Sequence, residues 1–386
     1  MLDFPNSPTL GTTYLGPNGV VWSWDGAKWI NGTVGTSTAY APLNSPNFIG
    51  NPTAPNPVVG DNDTSLSTTS FVQAATGTAL NNVGRNLVMN PLFNIAQRGN
   101  GPFTANGYTL DRWTLFLSTD TASVTRQQLA DADRTQIGDE AANYSCANAF
   151  TGTAGAAART QFLHPIEDVR RLAGKTVTVS FYAQAPAPRS LGVSIDQIFG
   201  TGGSPSAAVL NNGQSVAVTT TWARYTLTFT LASLAGKTLG TAGDHSTTLN
   251  LWYSSGTTNA ARAGNVGVQS GTIQLWGVQL EVSSIMTPLE KPDPQQDLAK
   301  AQRFFATGTV IGVTYHQAGY NYAVPFSLPV MMRAIPTAVI TNTASSSNLT
   351  GATLTMWTPR DGYAQGAAVA TTSTILNFSY TVSADL

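Results

Sequence analysis

Charge is the scarcest commodity in this chain of 386 residues. Only 10% of it is Asp, Glu, Lys or Arg, against about 25% in an average soluble protein. With 19 basic and 20 acidic residues the net charge is −1. No basic stripe is present to neutralise phosphates, which argues against a nucleic-acid partner, and no polybasic patch addresses a membrane surface. Cysteine is nearly absent: Cys146 stands alone, which excludes an intrachain disulfide and a cysteine-based metal site. A lone thiol of this kind reads as a small apolar residue. No apolar run approaches the ~20 residues that span a bilayer, so membrane insertion is not expected. The first ten residues, MLDFPNSPTL, lack the basic and apolar regions of a secretory signal. The expectation is a polypeptide made in a cytoplasm. Three histidines, His164, His245 and His316, stand far apart and off metal-ligand spacing. His164 before Pro165 reads as a turn or strand end.

In place of charge the chain carries Thr, Ser, Asn, Gly and Ala, a composition suited to β-sheets with hydroxyl faces and many turns. KTVTVSFYA (175–183) alternates Val177, Val179 and Phe181 with hydroxyl residues, and YTLTFTL (225–231) alternates Tyr225, Leu227, Phe229 and Leu231 with threonines. Leu249, Leu251 and Tyr253 form another such row. These are half-buried strands. In GTIQLWGVQLEV (271–282) the apolar phase changes after Leu275, which predicts a bulge or a strand covered on both faces. With no βαβ rhythm, residues 86–292 read as a jelly-roll β-sandwich. The fold class is mostly β.

The remaining spans flank that core. Residues 1–40 hold Trp22, Trp24 and Trp29 around Asp25-Gly26, a hairpin signal of the type I′ kind. Forty residues cannot bury a self-sufficient core. These rings therefore either dock on a larger particle or pack as a mini-sheet on their own chain. Residues 41–66, crowded with Pro, Gly, Asn and Asp, form an extended linker. Over 67–85 Val72, Thr76, Ala79 and Val83 recur at helical spacing, with Gly84 as a stop. So short a helix is marginal alone; it can form a coiled-coil stalk between subunits or dock on the domain that follows. A second helix opens at 293–306 with Asp293 as N-cap and Pro294 at N1. Residues 307–386 form a distal β domain, in which Pro325, Pro329 and Pro336 forbid one continuous central strand.

Chemistry is hard to assemble from these residues. Asp131, Asp133, Asp139 and Glu140 cluster in DADRTQIGDE, but without the spacing of a calcium loop, so a solvated loop is the expectation and no metal ligand is assigned. Glu167, Asp168, Asp196 and Glu281 are candidates for a glycosidase pair with no pattern that joins them. No G-x-S-x-G elbow or P-loop occurs. No catalytic residue and no cofactor is expected. For sugar binding, aromatic faces beside polar side chains are the feature to seek. Two distal segments supply it: Tyr315, His316, Tyr320 and Tyr322 in YHQAGYNY, and Trp357, Arg360 and Tyr363 in WTPRDGY. Both sets can equally be core or intersubunit aromatics.

Several of these segments resemble those of one family. NSPNFIGNPTAPNPVVGDNDTSLSTTSFV (44–72) closely resembles an element of bacteriophage tail-fibre and receptor-binding proteins, and VVWSWDGAKW (20–29) resembles a hairpin near the N-termini of phage structural proteins. NLVMNPLFNIAQRG (86–99), YTLDRW (108–113), WGVQLEV (276–282) and TPLE (287–290) look like the opening and closing signatures of a carbohydrate-binding-like jelly roll in phage tail proteins. AQRFF (301–305), the segment 324–340 and the terminal SADL resemble later family elements, though SADL departs from the commoner acidic pattern. The resemblance implies a fibrous homotrimer in a virion, held at its N-terminus by other virion proteins. It also implies non-catalytic adhesion to a host surface glycan or receptor. A decorative head, collar or neck fibre and a polysaccharide depolymerase are the alternatives.

Overall fold

The computed structural model describes residues 3–17, 19–31, 53–57, 66–72, 84–343 and 346–386. The chain divides into two compact units, Met1–Gly77 and Thr78–Leu386. In the first, β1 (Thr13–Leu15), β2 (Val21–Trp24) and β3 (Trp29–Asn31) form an antiparallel sheet in that order. The two-residue turn expected at Asp25-Gly26 is instead a four-residue loop, because Trp24 pairs directly with Trp29. The Asp25 carboxylate accepts from the amides of Ala27 and Lys28 at 2.9 and 2.8 Å and closes the loop, with Gly26 at φ +98°. Those bonds hold Asp25 below the ordinary carboxylate range. Downstream, Thr68 caps a helical turn over 69–72 through its hydroxyl, which accepts from the Phe71 amide at 3.1 Å. Val72 is exposed; Thr76, Ala79 and Val83 lie outside the described residues.

The second unit begins with a two-sheet sandwich. One sheet runs β11 (Gln214–Val218), β10 (Arg189–Ile198), β13 (Ser246–Ser255), β8 (Arg159–Glu167), β5 (Thr114–Ser118) and β4 (Gly107–Tyr108). The other runs β12 (Ala223–Thr230), β9 (Thr176–Gln184), β14 (Ser270–Glu281), β7 (Tyr144–Thr151) and β6 (Thr121–Gln128). All pairs are antiparallel, and most sheet neighbours are distant in sequence, the crossover order expected of a jelly roll. The alternating rows meet in one core: Val177, Val179 and Phe181 from β9 pack with Leu191, Val193 and Ile195 from β10 and Leu249, Leu251 and Tyr253 from β13. The phase change in β14 is a bulge, with the register slipping between Trp276 and Gln279 and Gly277 at φ +61°.

Two local expectations are corrected. The acidic segment is a helix, α1 (Asp131–Ile137). The Asp133 carboxylate accepts from the Ala130 amide at 3.0 Å, and Gly138 ends the helix in the left-handed conformation. Acids at the N-terminus and glycine after the C-terminus are helix signals. His164-Pro165 lies inside strand β8 instead of a turn. Proline is tolerated because pairing with β5 stops at Leu163, and the Pro165 carbonyl accepts from buried Arg112 at 2.6 Å.

The opening and closing signatures of the sandwich are bonded to each other. Glu281, fully buried, accepts from the Thr287 amide and from the Gln279 side chain, and Arg85 approaches it at 3.2 Å. Glu290 in turn accepts from the Asn86 amide at 2.6 Å, while the Asn86 side chain donates to the Val278 carbonyl at 3.0 Å. Burying a carboxylate without partners of this kind is costly.

Helix α2 (Pro294–Gln302), capped by Asp293 on the amides of Gln295 and Gln296, leads into the distal sandwich. Its sheets are β15 (Phe305–His316), β20 (Thr372–Ser383) and β17 (Thr337–Asn342), and β16 (Asn321–Ser327), β19 (Asp361–Ala368) and β18 (Leu349–Met356). Pro325 sits in edge strand β16, where a missing donor is harmless. Glycines let the sheets close: a Cβ at Gly312 would meet the Tyr322 hydroxyl at 2.4 Å.

At the junction of the two sandwiches, Arg112 is 1% exposed and lies 3.6 Å over the Phe304 ring. Arg98 lies 3.7 Å over Phe305. Both point at Asp385, which Arg98 contacts directly and Arg112 approaches at 3.8 Å. Truncating a buried cation of this kind costs on the order of 3 kcal/mol. Arg112→Ala is therefore expected to lower the urea midpoint of the full chain by that equivalent, while Arg170→Ala, at an exposed and solvent-screened ion pair, leaves the midpoint nearly unchanged. Equal effects would contradict the assignment.

Asp297 behaves differently. Burial raises its pKa above the ordinary 3.8, more than the Asn90 amide bonded to it at 3.1 Å lowers it. A raised carboxyl pKa means that stability is fully present below the unfolded value and is lost as pH rises through the folded one. Asp297→Asn removes that loss, so its urea midpoint is expected to gain on wild type as pH climbs from about 4 to 7. A constant difference across that range would refute the assignment.

Candidate functional site

The turn joining β18 to β19 is built by its own polar side chains. The Thr358 hydroxyl accepts from the amides of Arg360 and Asp361 at 3.1 and 2.7 Å, and the Trp357 amide donates to the Asp361 carbonyl. This leaves Trp357 53% exposed, with its ring 5.3 Å from Tyr363. A depression of about 560 Å³ opens beside it, lined by Pro325, Phe326, Ser327, Trp357, Asp361 and Gly362. The Asp361 carboxylate is fixed there, accepting from the Ser327 hydroxyl at 2.6 Å and the Thr358 hydroxyl at 3.2 Å. An indole face beside an oriented carboxylate suits a ligand with polarised C–H surfaces and hydroxyl donors. Arg360 is exposed at the tip of the same turn.

The other distal aromatics lie elsewhere. Asn321 pairs with Ala367 and Ser327 with Asp361, so the 315–322 segment and the 357–363 segment mark opposite ends of β16 and β19. At 3.3 Å per residue those ends are about 20 Å apart. Tyr315 and Tyr320 are exposed, at 68% and 61%. Tyr322 points inward and packs on the distal core, with the His316 ring 5.2 Å away. The predicted aromatics thus form two clusters.

In the N-terminal unit, Trp22, Trp24 and Trp29 are half-buried in one aromatic cluster with Phe4 and Tyr14. Around the small sheet Leu10, Leu15 and Val21 are exposed apolar residues, which sequence reasoning did not single out. Among the histidines, His164 is buried and accepts from the Met89 amide at 2.8 Å; burial and nearby Arg112 push its pKa well down, so it is neutral.

Each carboxylate weighed for catalysis is engaged. Arg303 and Arg333 meet Glu167, Arg170 grips Asp168 through two bonds of 2.8 Å, and Glu281 belongs to the buried lock. Asp196 is held by Arg262 at 2.6 Å and Asn250 at 3.1 Å. The same Arg262 covers Trp252, leaving that indole fully buried on the outer face of its sheet.

A second depression, of about 330 Å³, was not legible in the sequence. It lies on that outer face, where Leu163, Pro165, Ile198 and Thr248 meet Tyr108 and Leu386. Strand periodicity places these residues on a face, but only the pairing register brings them together.

Trp357→Ala is expected to change stability by less than ~1 kcal/mol, because the ring is largely solvated, while Tyr322→Ala leaves a core cavity and costs about 3 kcal/mol. Urea unfolding of both variants checks the contrast; comparable losses would place Trp357 in the core.

No protein-family model and no curated protein matches the sequence. Among solved structures, the chain is similar over 52% of its length to the enzymatically active domain of bacteriophage CBA120 tailspike protein 4, at 18% identity and a TM-score of 0.31. It covers 22% of that tailspike chain. A CBM4 structure matches over 51% of this chain and 99% of its own, at 17% identity and a TM-score of 0.29. The family 11 carbohydrate-binding module of Clostridium thermocellum, solved with a β-1,3-1,4-mixed-linked tetrasaccharide, matches over 47% and 95%, at 11% identity and a TM-score of 0.29.

Proposed function

We propose that this chain is a non-catalytic, glycan-binding fibre or spike protein of a tailed bacteriophage virion, adhering to the host surface. The observation that carries the binding reading is the exposed Trp357 indole, backed by Tyr363, above a depression holding the fixed Asp361 carboxylate. Stacking on an aromatic face contributes modestly at each contact. Adhesion then comes from several copies acting together, as in the homotrimer that the family resemblance implies. The engagement of Glu167, Asp168, Asp196 and Glu281 with cations or hydrogen-bond donors favours binding over hydrolysis, since glycosidases need two carboxylates free to exchange protons across a cleft. The virion location rests on the resemblance of residues 44–72 and of the sandwich signatures.

Host surface polysaccharide supplies the test. The full chain should be retained by the polymer and leave its chain length unchanged, and Trp357→Ala should weaken retention at least ~10-fold, the loss of about 1.4 kcal/mol. Oligosaccharide release would instead establish a depolymerase. Retention unaffected by Trp357→Ala would remove the platform from the binding account.

A further inference from the structure

Beside the Trp357 platform stand the only charges that the distal sandwich does not use to join the large one. Between Phe305 and Leu386 the Asp, Glu, Lys and Arg residues are Arg333, Arg360, Asp361 and Asp385. Arg333 meets Glu167 and the Gly243 carbonyl, and Asp385 meets Arg98 and Arg112, so both serve the junction. Arg360 and Asp361 lie together in the turn that carries Trp357. They do not pair with each other: the Asp361 carboxylate accepts from the Ser327 and Thr358 hydroxyls. Arg360 is exposed, and its guanidinium meets no carboxylate, carbonyl or ring among the described residues. The backbone beneath it is fixed all the same. Its carbonyl accepts from the Leu328 amide at 2.7 Å, and that of Pro359 from the Met332 amide at 3.0 Å. A domain that otherwise solvates itself with hydroxyl groups has no charged coat to which this cation could belong.

We propose that the ligand of this platform is an acidic glycan, with a uronic-acid carboxylate on Arg360 and the ring that bears it on Trp357. The proposal rests on the glycan-binding reading of the site and narrows it to a substrate class. The Trp357 amide donates to the Asp361 carbonyl at 3.1 Å, which holds the backbones of Trp357 and Arg360 within about 9 Å of each other. One sugar and the arginine side chain together bridge that gap. The C–H face of the ring lies on the indole, and an acid group at the ring's edge reaches the guanidinium. A uronic acid carries its carboxylate there, and the planar guanidinium grips a carboxylate through two parallel hydrogen bonds. Asp361 gives the site its direction. Its remaining lone pairs accept from ring hydroxyls and repel an acid group turned the other way.

Host surface polysaccharide is compared with the same polymer after its carboxyl groups are reduced to primary alcohols, which removes the charge and keeps the sugar rings. The full chain should retain the reduced polymer at least ~5-fold less well, the loss of a charge-assisted pair at an exposed site. Arg360→Gln should lose the same factor on the native polymer and nothing on the reduced one, whereas Trp357→Ala should weaken both. Equal retention of the two polymers, each weakened by Trp357→Ala, overturns the acidic-ligand proposal and leaves glycan binding standing. A retained host polymer without carboxyl groups overturns it likewise. So does discrimination that survives Arg360→Gln, because the acid is then read elsewhere. Retention of neither polymer defeats the proposed function as well. The polymer comparison uses the unaltered protein, so it decides the question even if a variant fails to fold.

Discussion

Two arginines meeting one aspartate lie at the centre of the junction between the large sandwich and the distal one. Arg98 and Arg112 come from the opening of the sandwich, Phe304 and Phe305 from the end of α2 and the start of β15, and Asp385 from the last turn of chain. A guanidinium offers donors in its plane and a flat face above it, so one residue can hold a carboxylate edge-on and a phenyl ring face-on. Lysine has no such second face. The geometry brings together three segments, the outermost 287 residues apart in sequence, at one seat. The distal sandwich and its platform are joined to the large sandwich there.

The low charge content takes on meaning in this light. Several of the few charges present form locks: Glu281 with Arg85, Asp196 with Arg262, Glu167 with Arg303, and the Asp385 pair. They sit where loops or domains join. Broad surfaces are left to hydroxyl and apolar side chains, which suits weak contacts repeated many times better than one tight site.

Much of the architecture was legible because strands advertise themselves by period. The β9, β12 and β13 rows, the bulge after Leu275 and the Asp293 cap all follow from local pattern. What failed was local chemistry overridden by context. Pro165 lies in a strand because its neighbour strand stops pairing two residues earlier, at Leu163, and DADRTQIG is a helix although its acids and glycine also suit a solvated loop. The candidate site was half legible. Trp357 and Tyr363 lie together as their spacing suggests, but Tyr322 turned inward because Gly312, across the core, leaves room for its ring. No single segment reveals that the two aromatic clusters lie at opposite ends of a shared sheet, because that depends on register.

The central claim, that Trp357 is where a glycan lands, can be read directly by fluorine NMR of chain labelled with 5-fluorotryptophan. The protein has eight tryptophans, of which Trp113, Trp222, Trp252 and Trp276 are buried. On titration with host surface polysaccharide the Trp357 resonance is expected to shift and broaden while those four stay fixed. A shift at Trp252 with Trp357 unmoved would contradict the account and place the ligand on the large sandwich.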